Sequence, residues 1–118
     1  KKSSVIFNKN SKDYLLCLYN IALSQFRLEK WVESRESFIL LNKEALKMKA
    51  TQYQLYSSFY LLLLNNKKPQ AMKYLEDKVI PFTERMDEQA ESHQYFSSIL
   101  AEYYKTEGKY EKAVKFIL

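Results

Sequence analysis

The segment that decides the fold is residues 96–118, FSSILAEYYKTEGKYEKAVKFIL. Phe96, Ile99, Leu100, Tyr103 and Tyr104 recur at three and four, the period of one helix face. Gly108 stops that helix, because glycine enters the left-handed region at no steric cost. A second helix starts near Tyr110 and carries Ala113, Val114 and Ile117. The segment is a helical hairpin. Two weaker copies lie upstream, so the chain is predicted to be a stack of such hairpins.

Composition agrees with that reading. One Gly and two Pro in 118 residues are too few for the many turns of a sandwich or barrel, so an all-α chain is expected. With 47% apolar and 28% charged residues, the balance is that of a folded domain and not of a disordered tail. The net charge of +5 arises entirely within residues 1–50, partly from Lys1, Lys2, Lys9 and Lys12. No clustered Arg/Lys stripe is visible, which favours a solvated tail over a nucleic-acid footprint. Cys17 is alone among Leu15, Leu16 and Leu18, so it reads as a buried small hydrophobe, with no intrachain disulfide and no thiolate metal site. The longest apolar run, Phe59 to Leu64, is too short to span a bilayer. The chain has no initiator Met and stops within an apparent helix, so it is read as a piece of a longer protein. Cytoplasmic and periplasmic settings both remain open.

In chain order, residues 1–10 form a flexible or docked segment, with Val5, Ile6 and Phe7 as a short apolar clip. Ser11 is a candidate N-cap for a helix to about Leu28. A second helix is expected from Trp31 to about Met48, with Ser34, Phe38, Leu41 and Ala45 on one face. The third, Thr51 to Leu64, is apolar nearly all round and should be buried on several sides, at the centre of the stack. Asn65-Asn66 supplies a left-handed stop and Pro69 the first position of the fourth helix. Pro81 should kink or restart that helix, placing Glu84, Asp87, Glu88 and Glu91 early in the fifth. Those acids are either a metal site or favourable charges near a helix N-terminus; no His or second carboxylate cluster stands ready to complete a metal shell.

Aligning the small residue after each turn pairs Trp31–Ser34, Lys68–Ala71 and Tyr110–Ala113, with small residues 37 and 42 positions apart. Gly108, Tyr110 and Ala113, with Leu100, Ala101 and Tyr104 before them, resemble the tetratricopeptide repeat (TPR). Ile21, Ala22, Trp31, Ser34 and Phe38 form a fair copy with Glu29 where Gly is usual; Leu55, Ala71 and Leu75 form a degenerate one. The resemblance implies a right-handed superhelix of three antiparallel hairpins, in units of about 11–48, 51–86 and 88–118. The small residue would let helices approach closely and the aromatic would fill the gap at the turn. Units longer than the usual ~34 residues are similar to the stretched arrays of bacterial sensors and transcriptional regulators.

The resemblance further implies that the first helix of each unit lines a concave, peptide-binding face. Its positions are Tyr19, Leu23, Phe26 and Arg27, then Tyr53, Tyr56, Tyr60 and Leu63, then Tyr95, Ser98, Glu102 and Lys105. The phenols at 53, 56 and 60 share one side of their helix and either line that groove or fill space between helices. A clamp for a C-terminal carboxylate would need Lys and Asn where Tyr19, Leu23, Tyr56 and Tyr60 stand. His93 is the single histidine and one Gly cannot make a phosphate loop, so no enzyme, cofactor or metal is expected. The expected partner is a protein or peptide, without direct nucleic-acid or membrane contact, and with association of copies through the terminal repeats. The competing readings are a structural spacer or oligomerisation segment of a larger array, and the connector of a DNA-binding or kinase regulator.

Overall fold

The computed structural model describes residues 12–116, so the clip at Val5–Phe7, the cap at Ser11 and Ile117 lie outside the described residues. All regular structure among them is helical. The helices are α1 (Lys12–Arg27), α2 (Trp31–Lys47), α3 (Thr51–Leu64), α4 (Lys68–Tyr74), α5 (Ile80–Arg85), α6 (Ala90–Thr106) and α7 (Tyr110–Lys115). They fall into two compact units, the first ending at Asn66 and the second beginning at Lys67. That division separates α3 from α4, the two helices assigned by sequence to the middle hairpin. Within each unit consecutive helices pack antiparallel, α4 and α5 counting as one helix joined end to end.

Four helix ends use the same turn. Glu29, Lys49, Asn66 and Gly108 have φ of 61°, 55°, 61° and 78°. In three of them the residue after the left-handed one returns its N–H to a carbonyl five positions back: Lys30 to Gln25, Ala50 to Ala45 and Lys109 to Tyr104. This closure satisfies carbonyls that the helix end would leave bare. Five positions after Glu29, Asn66 and Gly108 come Ser34, Ala71 and Ala113, and all three are buried. No residue larger than serine occupies those places. Ser34 Oγ donates to the Ala22 carbonyl at 2.9 Å, a contact that requires α1 and α2 to lie close.

In the first unit, α2 turns Ser34, Phe38, Leu41 and Ala45 inward, as the sequence spacing requires. A polar seam joins α2 to α3: Asn42 Nδ2 donates to Ser57 Oγ at 2.8 Å, and Ser57 Oγ donates to the Tyr53 carbonyl. Arg35 reaches across to the Leu64 carbonyl at 3.1 Å, a cation on the negative end of α3. Cys17 is half-buried instead of fully buried, and Leu15 takes the inward place.

The second unit departs from expectation at Pro81. Helical backbone runs on through it: a π-turn, Leu75–Val79, carries α4 into α5. Ile80 N–H bonds the Leu75 carbonyl, five positions back. The widened turn accommodates a proline ring that would clash with the carbonyl four residues earlier in a regular helix. Glu84 therefore closes α5 instead of opening the next helix. The true break is Met86, which is extended, followed by a 3-10 turn at Asp87–Gln89. Pro69 stands at the second helical position, after Lys68.

Glu29 and Gly108 share one backbone conformation, but only Gly occupies it without strain. Glu29→Gly should raise stability by about 1 kcal/mol and Gly108→Ala should lower it by a similar amount. A Cβ at Gly108 would meet nothing within 4 Å, so the urea midpoint of Gly108→Ala reads the backbone term alone, and that of Glu29→Gly should shift the opposite way.

Candidate functional site

The residues expected on a concave face divide into two groups. In the first unit Tyr19, Phe26, Tyr53, Tyr56 and Tyr60 come together as one aromatic cluster with Phe38 and Phe59, and Leu23 is buried. The Phe38 and Tyr60 rings stack at 4.8 Å, and Phe26 sets its edge to Tyr60 at 5.1 Å. Tyr19 lies 5.6 Å from Tyr56 and 5.9 Å from Tyr53. Tyr56 and Tyr60 are each 1% exposed, so they fill space between helices, the second of the two roles the sequence left open. On the same helix Phe59 is fully buried, whereas Leu55 and Leu62 are only half-buried. Tyr19 and Phe26 keep partial exposure and Arg27 stands free at the end of α1.

In the second unit Ser98, Glu102 and Lys105 share one exposed face of α6 and line a groove of about 710 Å³. Its floor is Ile80 from α5 with Ser97 and Ala101 from α6, all buried. Its rim carries Glu84 on α5, Glu102 and Lys105 on α6, and Lys115 on α7. Two acids and two lysines around a small apolar floor suit an extended or helical segment bearing both charges. Sequence reasoning missed the α5 wall because Pro81 was read as a helix break. Tyr95, on the same helix, packs edge-on against Phe96 at 5.2 Å.

His93 also lines this groove, with its Nδ1 2.8 Å from Thr83 Oγ1. The Thr83 hydroxyl donates to the Ile80 carbonyl, so we assign the Nδ1–H tautomer, with Thr83 accepting. This pair ties α5 to α6 and fixes the wall of the groove. No group of three or more His, Cys, Asp or Glu side chains able to hold a metal ion occurs among the described residues. Nor is any helix among them long and apolar enough to cross a membrane.

The last hairpin is organised around Tyr104. Its hydroxyl donates to Glu76 on the π-turn, Lys112 sits 5.2 Å over its ring, and Phe116 stacks at 6.1 Å. Burial, then the hydrogen bond to Glu76 and its negative charge, push the Tyr104 hydroxyl up to about 12. Tyr53 is also raised, by burial first and Asp13 second. The two aromatic residues expected to fill the gap at a turn behave differently from each other. Tyr110 is 65% exposed and fills no gap at its turn, while Trp31 packs its edge on Phe26 at 5.3 Å. Ile21 is exposed as well.

Compared with protein-family models, curated proteins and solved structures, the chain matches none.

Two measurements test this arrangement. Tyr56→Ala should cost about 3 kcal/mol or more of stability, as for other large core rings, whereas Glu102→Ala should leave the urea midpoint nearly unchanged. Equal effects would contradict the burial described. For Tyr104, the folded state holds its proton above the ordinary tyrosine range. Its contribution to stability is complete below pH 10 and is lost as pH rises toward 12. Tyr104→Phe should therefore flatten the fall in stability across that window.

Proposed function

We propose that this chain is a non-catalytic, TPR-like scaffold that binds a protein or peptide, serving as the interaction or sensing part of a regulatory protein. The observation that carries this reading is the α6 groove, in which Ser98, Glu102 and Lys105 line an open cleft with an apolar floor and a rim of both charges. These are first-helix positions of the third unit, where the TPR resemblance puts ligand contacts. The recurrent left-handed turn followed five residues later by a buried Ser34, Ala71 or Ala113 supports the TPR-like part of the reading. The tyrosines of the first unit then serve the scaffold, and the ligand is held in the second unit.

Selection of peptides from a displayed library against the folded chain tests this directly. Selected peptides should bind the parent chain and lose about tenfold or more in affinity, roughly 1.4 kcal/mol, with Ser98→Trp or Glu102→Lys. Both variants alter exposed positions and should keep the parent's circular dichroism and melting. The proposal is overturned if no peptide is enriched, or if enriched peptides bind the blocked variants as well as the parent.

A further inference from the structure

The outer side of α2 carries an apolar line that the peptide-binding reading does not use. Val32, Ile39 and Leu46 are 63%, 52% and 58% exposed. They stand seven residues apart, so on a helix they drift by only about 20° from one to the next and form a single seam. On a 3.6-residue helix the seam is centred about 130° around α2 from the buried Ser34, Phe38, Leu41 and Ala45. Three large aliphatic residues in one line differ from singly scattered apolar residues, which need no explanation.

The flanks of the seam differ. On one side Arg35 and Asn42 point inward, bonded to the Leu64 carbonyl and to Ser57. On the other side Glu33 and Glu36 precede Lys43 and Lys47, all exposed. The exposed flank is therefore acidic in its first half; in its second, Lys47 pairs with Glu44 at 3.3 Å, which leaves Lys43 as the cation that faces outward beside the seam. That order also suits the helix dipole, so the apolar seam carries the argument and the charges select a direction.

We propose that two copies of this chain pair through α2, antiparallel about a two-fold axis at Ile39. Such an interface must be self-complementary, each patch meeting its own copy. Antiparallel pairing sets Ile39 against the partner's Ile39, and Val32 against the partner's Leu46. The exposed flanks then fall on the same side of the dimer, with Glu36 beside the partner's Lys43 and Lys43 beside the partner's Glu36. Parallel pairing would instead turn the charged flank toward Arg35 and Asn42, which are committed to α3. The pairing is argued from α2 residues alone and the peptide reading from α6 residues alone, so the two proposals can fail separately.

Sedimentation equilibrium of the full chain over roughly 10 μM to 1 mM should show a monomer–dimer equilibrium. Ile39→Glu would bring two carboxylates together on the axis and should weaken dimerisation at least about tenfold, with unchanged circular dichroism because the side chain is exposed. Glu36→Lys should weaken it too, and Glu36→Lys with Lys43→Glu should restore it. In a Cys17→Ser background, Ile39→Cys should cross-link to itself on mild oxidation, whereas Val32→Cys should cross-link only when mixed with Leu46→Cys. A monomer throughout the range, a dimer indifferent to Ile39→Glu, or a Val32→Cys chain that links to itself would overturn the proposal.

Discussion

The close approach of α1 and α2 at Ser34 is the constraint on which the first unit depends, and Ala71 and Ala113 are buried small residues placed alike after their turns. A chain that reverses within three residues needs one residue at positive φ, and three of the four here, Glu29, Asn66 and Gly108, are followed five positions later by a buried small residue. At a crossing the neighbouring backbone leaves room for little beyond a methyl or hydroxymethyl group. Ser34 meets that demand while keeping its hydroxyl satisfied by the Ala22 carbonyl. Burying it without that partner would cost about 1–3 kcal/mol. Turn and crossing together hold the hairpins and give each helix its inward face.

Once the crossings are set, large side chains are needed where the helices diverge. In the first unit tyrosines and phenylalanines fill that space, from Tyr19 on α1 to Tyr53, Tyr56 and Tyr60 on α3. Tyrosine offers nearly the apolar area of phenylalanine with a polar tip, so it suits a core edged by half-buried polar groups. The neighbouring Asn42–Ser57 seam is such an edge. Charged reach completes the packing, as Arg35 closes on the α3 terminus. A wall of phenols on one helix face thus answers a volume requirement within the unit.

The second unit turns on the π-turn before Pro81. By inserting one wider turn, the chain keeps α4 and α5 as a continuous rod despite the proline. The rod extends Ile80, Thr83 and Glu84 far enough to form a wall beside α6, and Thr83 locks to His93 across it. The same turn aims Glu76 at Tyr104, so one backbone irregularity serves both the groove and the last hairpin. Pattern reading misses it because a proline that breaks a helix and a proline eased by a π-turn leave the same mark in the sequence.

By itself the sequence determined the helical class, the extents of α2 and α3 within a residue, and the left-handed stops at Asn66 and Gly108. These are local properties, written in a 3.6-residue period and in backbone preferences that do not need a partner. The TPR resemblance grouped Tyr95, Ser98, Glu102 and Lys105, of which Ser98, Glu102 and Lys105 are exposed on α6. Only the tertiary structure decided that Tyr56 and Tyr60 turn inward while Leu55 and Leu62 stay half-buried, that Tyr110 faces solvent, and that α5 walls the groove. On a helix apolar over most of its circumference, periodicity cannot say which arc faces the core. The helices packed against it choose that arc by shape and volume, and those contacts lie far apart in the chain.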